Sequence, residues 1–242
     1  MLLRPSLAIA GLTVLLGGLA HATPPTPEAK CLGERLKARG KYEACVQKFL
    51  TVIVEKNFDD AYAMAKCRQK YARVWAKLQM LEGTSCVSNR YVDNGDGTIS
   101  DRFSGLQWEK KDDLAGVHDK DNLYTWSTNG DGNRVDADGT VFTSFLAGLN
   151  APTCFAGQCD WRLPTISELS SIVLPDTFPC QVTPCIDPIF GPTQAGGLDD
   201  YWTMTSDAEV PEGAWQTRFS TGDNPDIFKD QTGYVRAVRS ER

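Results

Sequence analysis

Along the first third of the chain, apolar residues return at helical spacing. Leu32, Leu36, Tyr42, Cys45, Val46, Phe49, Leu50 and Ile53 line one segment, and Ala61, Met64, Ala65, Tyr71, Val74, Trp75, Leu78 and Leu81 the next. Asn57-Phe58-Asp59-Asp60 lies between them with capping residues, and Gly83 stops the second segment. The pattern predicts a helical hairpin over residues 23–88. Gly40 can break or kink the first segment, so three helices stand as the alternative. Beyond residue 89 the period changes from helical to alternating. Asp200 to Ser206, Ala214 to Phe219 and Gly233 to Arg239 alternate between Gly, Pro and Asp clusters, as strands do, and so does Gly105 to Lys110. Arg90 to Asp101 reads as strand, tight turn, strand, because Asn94-Gly95 and Asp96-Gly97 supply the positive φ that a primed hairpin turn demands. Phe142, Phe145, Leu146 and Leu149 mark a short amphipathic helix that ends at Pro152, and Ile166, Leu169, Ile172 and Val173 mark another.

The second of these helices has the clearest start signal in the chain, within Asp160-Trp161-Arg162-Leu163-Pro164-Thr165-Ile166-Ser167-Glu168-Leu169. Pro164 disfavours helix at Leu163, so the chain enters extended. Thr165 followed three residues later by Glu168 is the capping-box pattern. Trp161 and Leu163 are expected beneath that turn, while Arg162 between them must face solvent or meet a carboxylate.

This stretch, WRLPTISEL, resembles the WRLPT-x-x-EL motif of the Lcl C-terminal domain family, named after a Legionella collagen-like adhesin. It is more distantly similar to a turn of formylglycine-generating-enzyme-like domains. The opening Asp93-Asn94-Gly95-Asp96-Gly97-Thr98 with Asp101, the following Gly105-Leu106-Gln107-Trp108-Glu109-Lys110, and the closing Tyr201-Trp202, Ala214-Trp215 and Tyr234-Val235-Arg236-Ala237-Val238-Arg239 resemble the same family in order. Ser104 stands where the family often has Thr, and the likeness spans about Arg90 to Arg239. The resemblance implies an α+β, C-type-lectin-like mixed domain with two short helices and a twisted antiparallel sheet. It also implies an extracellular adhesion or glycan-binding role, the named member being known for glycosaminoglycan binding. The helical hairpin lies outside it.

Residues 1–22 read as a signal peptide: Arg4, an apolar run from Leu7 to Leu19, and the small-x-small triplet Ala20-His21-Ala22. The run is too short to span a membrane, which takes about 20 apolar residues. The expected organisation is therefore a leader at 1–22, a disulfide-linked hairpin at 23–88 and an Lcl-like domain at 89–242, with no membrane span after cleavage. In an oxidising compartment the eight cysteines are read as disulfides before metal ligands. Folding the hairpin near Asn57 brings Cys45 opposite Cys67 and Cys31 opposite Cys86. Cys154 with Cys159, and Cys180 with Cys185, are close enough to close local loops, and pairing across the two loops competes with this. With only two His in the sequence, a Cys/His zinc site is not expected.

Residues 23–87 hold 12 Lys and Arg against 7 Asp and Glu, a balance of +5, whereas residues 88–242 hold 12 against 24, a balance of −12. A domain so acidic would repel sulfated polymers except at a local basic patch such as Arg236, Arg239 and Arg242, or through the hairpin. Neutral glycans or a surface protein are the expected partners, and nucleic acid is not. Candidate ligand-binding residues are Trp126 and Trp215, beside acidic or amide-bearing loops, with Tyr124 on the same face as Trp126. Trp108, Trp161 and Trp202 are assigned to the core. Neither acidic stretch makes an EF-hand, since Ser104 and Phe142 occupy the twelfth positions where a bidentate Glu is needed. A different calcium site built from Asp131, Asn133, Asp136 and Asp138 competes with a solvated turn. His118 reads as a surface residue, with no nucleophile motif around it. The expectation is a non-catalytic binding module, secreted, periplasmic or at the cell surface. The alternatives are an oxidoreductase of formylglycine-generating type using a Cys-x4-Cys pair, and a structural cell-envelope protein.

Overall fold

The computed structural model describes residues 26–56, 61–79, 90–128, 135–174, 183–197 and 199–241. The predicted leader, the turn at 57–60, Cys86 and Cys180 lie outside them. Two helices come first, α1 (Pro27–Lys56) and α2 (Ala61–Gln79). α1 runs unbroken through Gly40, so the two-helix reading is the one observed. A lone glycine costs a helix only about 1 kcal/mol relative to Ala, which 30 residues of helix with a buried face absorb. Tyr42, Val46 and Phe49 of α1 meet Met64, Cys67 and Tyr71 of α2 in one apolar cluster. Cys45 and Cys67 are bonded with their Cα atoms 5.8 Å apart, the pairing that an antiparallel hairpin favours. The pairing of Cys31 with Cys86 lies outside the described residues.

The rest of the chain is a mixed region with three antiparallel sheets. β1 (Tyr91–Asp93), β2 (Thr98–Asp101), β3 (Leu106–Glu109) and β9 (Val238–Ser240) form the first, in the order β1-β2-β3-β9. β4 (Tyr124–Thr125) pairs with β8 (Thr232–Gly233), and β5 (Asp200–Ser206), β6 (Gly213–Arg218) and β7 (Asp226–Phe228) form the third. The turn between β1 and β2 has Gly95 and Gly97 at φ 77° and 88°. Asp96 accepts hydrogen bonds there from the Thr98 N–H and hydroxyl, at 3.0 and 2.6 Å. The last predicted strand, Gly233 to Arg239, is split in two because the chain passes from one sheet to another. Tyr234 receives the Trp202 N–H through its carbonyl at 2.9 Å, and Ala237 receives that of Glu109 at 3.0 Å.

Two helical segments cover the sheets. A π-helical turn (Val141–Leu146) runs into the short α3 (Ala147–Leu149), burying Val141, Phe145, Leu146 and Leu149. α4 (Ile166–Ser171) begins with the predicted capping box: the Glu168 N–H donates to Thr165 Oγ1 at 3.2 Å and the Thr165 N–H to Glu168 Oε2 at 2.9 Å. Arg162 does find a carboxylate, forking across Glu168 with two bonds of 2.8 Å. Burial alone would raise the Glu168 carboxyl, but Arg162 and the Thr165 N–H together hold it below the usual carboxylate range. Trp108, Trp161 and Trp202 are core residues, as the sequence predicts.

The hairpin docks on this region. Phe103, Ile166 and Trp215 enter the same apolar cluster as the inner faces of α1 and α2. The rings of Tyr71 and Phe103 lie 4.4 Å apart. At the seam, Arg39 donates to the Ser104 carbonyl at 2.6 Å and Arg68 to that of Gly222 at 2.7 Å. The fold is α+β, and the antiparallel strands are divided among three small sheets rather than gathered in one.

Candidate functional site

The aromatic residues named as candidate ligand contacts are not free ring faces. Trp126 and Trp215 are 4% and 5% exposed, which corrects any reading of them as open stacking platforms. Successive side chains of a strand point to opposite faces, and both faces of β6 are covered. Ala214 faces the cluster that holds Trp126, and Trp215 faces the hairpin. The Trp126 indole N–H donates to the Thr203 carbonyl at 3.1 Å, and Lys229 Nζ sits 4.1 Å from its ring centroid. Tyr124 is half-buried, 5.3 Å from Phe145 between ring centroids, on the Trp126 side. The three residues therefore do not converge on one site.

Trp215 nevertheless meets a cleft. A space of about 350 Å³ lies between α1 and the end of β5, lined by Gln47, Leu50, Thr51, Thr205, Ser206, Asp207, Ala208 and Trp215. That volume is at the lower end of the roughly 300–1,000 Å³ typical of small-molecule pockets. Gln47, Leu50 and Thr51 stand at helical spacing on one face of α1, and Thr205 to Ala208 follow one another where β5 ends. Asp207 is 8% exposed, and one of its oxygens accepts the Glu209 N–H at 2.8 Å. Among the described residues no Lys, Arg or His lines the cleft. Thr205 Oγ1 accepts the Ile166 N–H at 3.0 Å, leaving its own proton to donate. The arrangement offers hydroxyls, an amide, a carboxylate and one aromatic edge, which suits reversible binding of a polar molecule. Sequence reasoning missed every lining residue except Trp215, since no local motif marks a juxtaposition of residues 47–51 with 205–208.

A charged cluster lies elsewhere in the interior. Glu109, fully buried on β3, pairs with Lys111 at 2.9 Å and with His118 Nδ1 at 2.8 Å, and its other oxygen accepts the Ala237 N–H at 3.0 Å. Burial raises the Glu109 carboxyl, and Lys111 and His118 more than offset it, so the net direction is down. His118 is thus a partner of a buried carboxylate and stacks on Phe155 at 4.2 Å between centroids, rather than standing alone at the surface. Arg236 is buried on the Glu109 and Phe190 carbonyls, and Arg239 on Asp160 and Gln107. The basic patch expected of Arg236, Arg239 and Arg242 is corrected accordingly: the first two are 0% and 5% exposed.

Of the predicted calcium ligands, Asp131 and Asn133 lie outside the described residues, while Asp136 and Asp138 lie within them. Asp138 accepts from the Thr128 N–H at 2.8 Å and the Thr128 hydroxyl at 2.7 Å, which hold its carboxyl low and tie the loop to the end of β4. That is turn chemistry. Among the described residues the carboxylates that approach one another are Asp113, Asp119 and Asp121, with Lys120 reaching Asp113 at 2.7 Å and Asp121 at 2.8 Å. Cys154 is bonded to Cys159 with Cα atoms 5.1 Å apart. Cys185 is also in a disulfide, and the expected partner Cys180 lies outside the described residues.

Disulfides fit an oxidising setting, and among the described residues no helix is long and apolar enough to cross a membrane. The turn, the capped helix and the closing strands follow one another as they do in the Lcl C-terminal domain family, to which the chain belongs and whose model matches residues 97–239. That membership makes it an adhesin-like extracellular module. Both helices of the hairpin, and with them one wall of the cleft, lie outside the matched residues. Among curated proteins, none matches the sequence.

Proposed function

We propose that the protein is an exported, non-catalytic recognition module of lectin-like kind, which holds a glycan or another surface ligand at the cell envelope or outside it. On this reading residues 1–22 are a cleaved leader, 23–88 the hairpin and 89–242 the recognition domain. The observation that carries the reading is the junction cleft, a space of ligand size lined by an indole, three hydroxyl residues, an amide and a carboxylate. Such a set reads hydroxyl groups by hydrogen bonding while an aromatic edge contacts an apolar sugar face. Family membership supports an adhesive role.

A glycan array probed with the full chain, with and without calcium, tests this. Hits that persist in chelator are expected, because the Asp138 carboxylate of the acidic loop is engaged by the Thr128 N–H and hydroxyl. Calcium-dependent hits would move the site to that loop. Silence across the array would sink the glycan reading and leave a protein ligand.

A further inference from the structure

The cleft has an electrostatic property that narrows its ligand. Asp207 is more than nine-tenths buried, lines the space, and pairs with no cation among the described residues. Other buried carboxylates of the same region are neutralised: Asp101 by Arg90 at 2.8 Å, Asp200 by Arg218 at 2.8 Å and Glu109 by Lys111 at 2.9 Å. Among the described residues only the Glu209 N–H donates to its carboxylate, which leaves one oxygen to accept from something else. No cation among the described residues lines the cleft, so an incoming sulfate or carboxylate would meet like charge there.

The opposite wall comes from α1. Gln47 and Thr51 are exposed there. Thr51 Oγ1 donates to the Gln47 carbonyl at 3.0 Å, leaving its lone pairs to accept, and no described group bonds the Gln47 amide. The Trp215 indole N–H likewise has no acceptor among the described residues. Free donors and acceptors thus face the cleft from both sides, one side inside the family match and the other outside it.

We infer that the junction cleft takes a hydroxyl-rich group without negative charge, the end of a non-sulfated, non-acidic glycan, with Asp207 accepting from a hydroxyl and α1 supplying residues that set specificity. This rests on the recognition reading above and adds to it the charge class of the ligand and the part played by the hairpin. α1 then acts as one wall of a composite site as well as support for the domain.

The test uses the full chain and titrates tryptophan fluorescence with lactose, maltose and the disaccharide of N-acetylglucosamine, with heparin as the anionic probe. At least one neutral disaccharide is expected to bind, and heparin not to bind more tightly. The double variant Gln47→Leu/Thr51→Val should weaken that binding about 5- to 10-fold, the effect of losing one or two hydrogen bonds to a ligand. Asp207→Asn should weaken it and reduce the discrimination against heparin. Far-UV circular dichroism verifies folding, and both α1 positions are exposed, so the double variant keeps its fold. Neutral binding untouched by the α1 variant would overturn the composite site while leaving the recognition reading intact. Preference of the parent chain for heparin would overturn the charge assignment. No binding of any probe or array glycan would sink both.

Discussion

The mixed region and the seam beneath the hairpin hold most of their cations differently. In the mixed region guanidinium groups mostly meet carboxylates, Arg90 with Asp101, Arg162 with Glu168, Arg218 with Asp200 and Arg239 with Asp160, while the fully buried Arg236 rests on the Glu109 and Phe190 carbonyls. At the seam, Arg39 and Arg68 donate to backbone carbonyls of loops, and Arg39 stays 3.9 Å from Glu168. Arg68 Nη1 and the Tyr42 hydroxyl have no hydrogen-bond partner among the described residues. A cation held by a carboxylate is fixed in place by charge, and removal of either member is severe. A cation held by a carbonyl adds a hydrogen bond worth about 1.5–3 kcal/mol and leaves the rest to apolar packing. The difference teaches that the hairpin is attached by Tyr71, Phe103, Ile166 and Trp215 more than by ion pairs. A seam of that kind lets a polar cleft remain at its edge.

The largest test of this contrast removes charge from the interior. Glu109→Gln leaves Lys111 buried without its counter-ion and should cost about 3–5 kcal/mol in urea unfolding. A loss below 1 kcal/mol would show the interior pairs to be no stronger than the seam. Next, Cys45→Ser/Cys67→Ser should cost roughly 2–4 kcal/mol, and the loss should appear in the hairpin before the sheets. Hydrogen exchange resolves this, and simultaneous loss of protection in both regions would mean they unfold as one.

Glu168→Gln should cost about 1.5–3 kcal/mol by weakening the bonds to Arg162 and the cap. The same carboxyl gives a pH signature. Its folded pKa is depressed, so its contribution is fully present above the unfolded value of about 4.3 and is lost as pH falls through the lower folded value. The stability gap between parent and variant should therefore close in acid, and a gap that is constant with pH would contradict the paired geometry. The smallest effect belongs to Gln47→Leu, which should change stability by no more than about 0.5 kcal/mol, since the residue is exposed. A larger loss would make Gln47 part of the seam rather than of the cleft.

Much of the local structure was legible in residue order because its causes are short in range. The Asn-Gly and Asp-Gly turn, the Thr165–Glu168 cap and the Cys45–Cys67 bridge each follow from a few residues and their spacing. The family motifs carried the fold class. The candidate site was far less legible. Trp215 and Trp126 sit on strands or loops whose pattern permits one exposed face, and the other cover arrives from elements far away in sequence. For Trp215 it is α1 and α2, and for Trp126 the Phe142 ring and Lys229. The buried Glu109 and Lys111 stand two apart, at and just past the end of β3, a spacing that reads equally well as a solvated face.

The sequence by itself determined the two helices, the paired cysteines between them, the capped turn and the alternating strands, because torsional preference, capping and loop closure act over a few residues to a few tens. Only the tertiary structure decided that the hairpin lies on the domain, that both candidate indoles are covered, and that Asp207 shares a cleft with Gln47. Burial and charge pairing depend on which surfaces meet across more than a hundred residues of chain, and apolar packing of that kind leaves no fixed spacing to read.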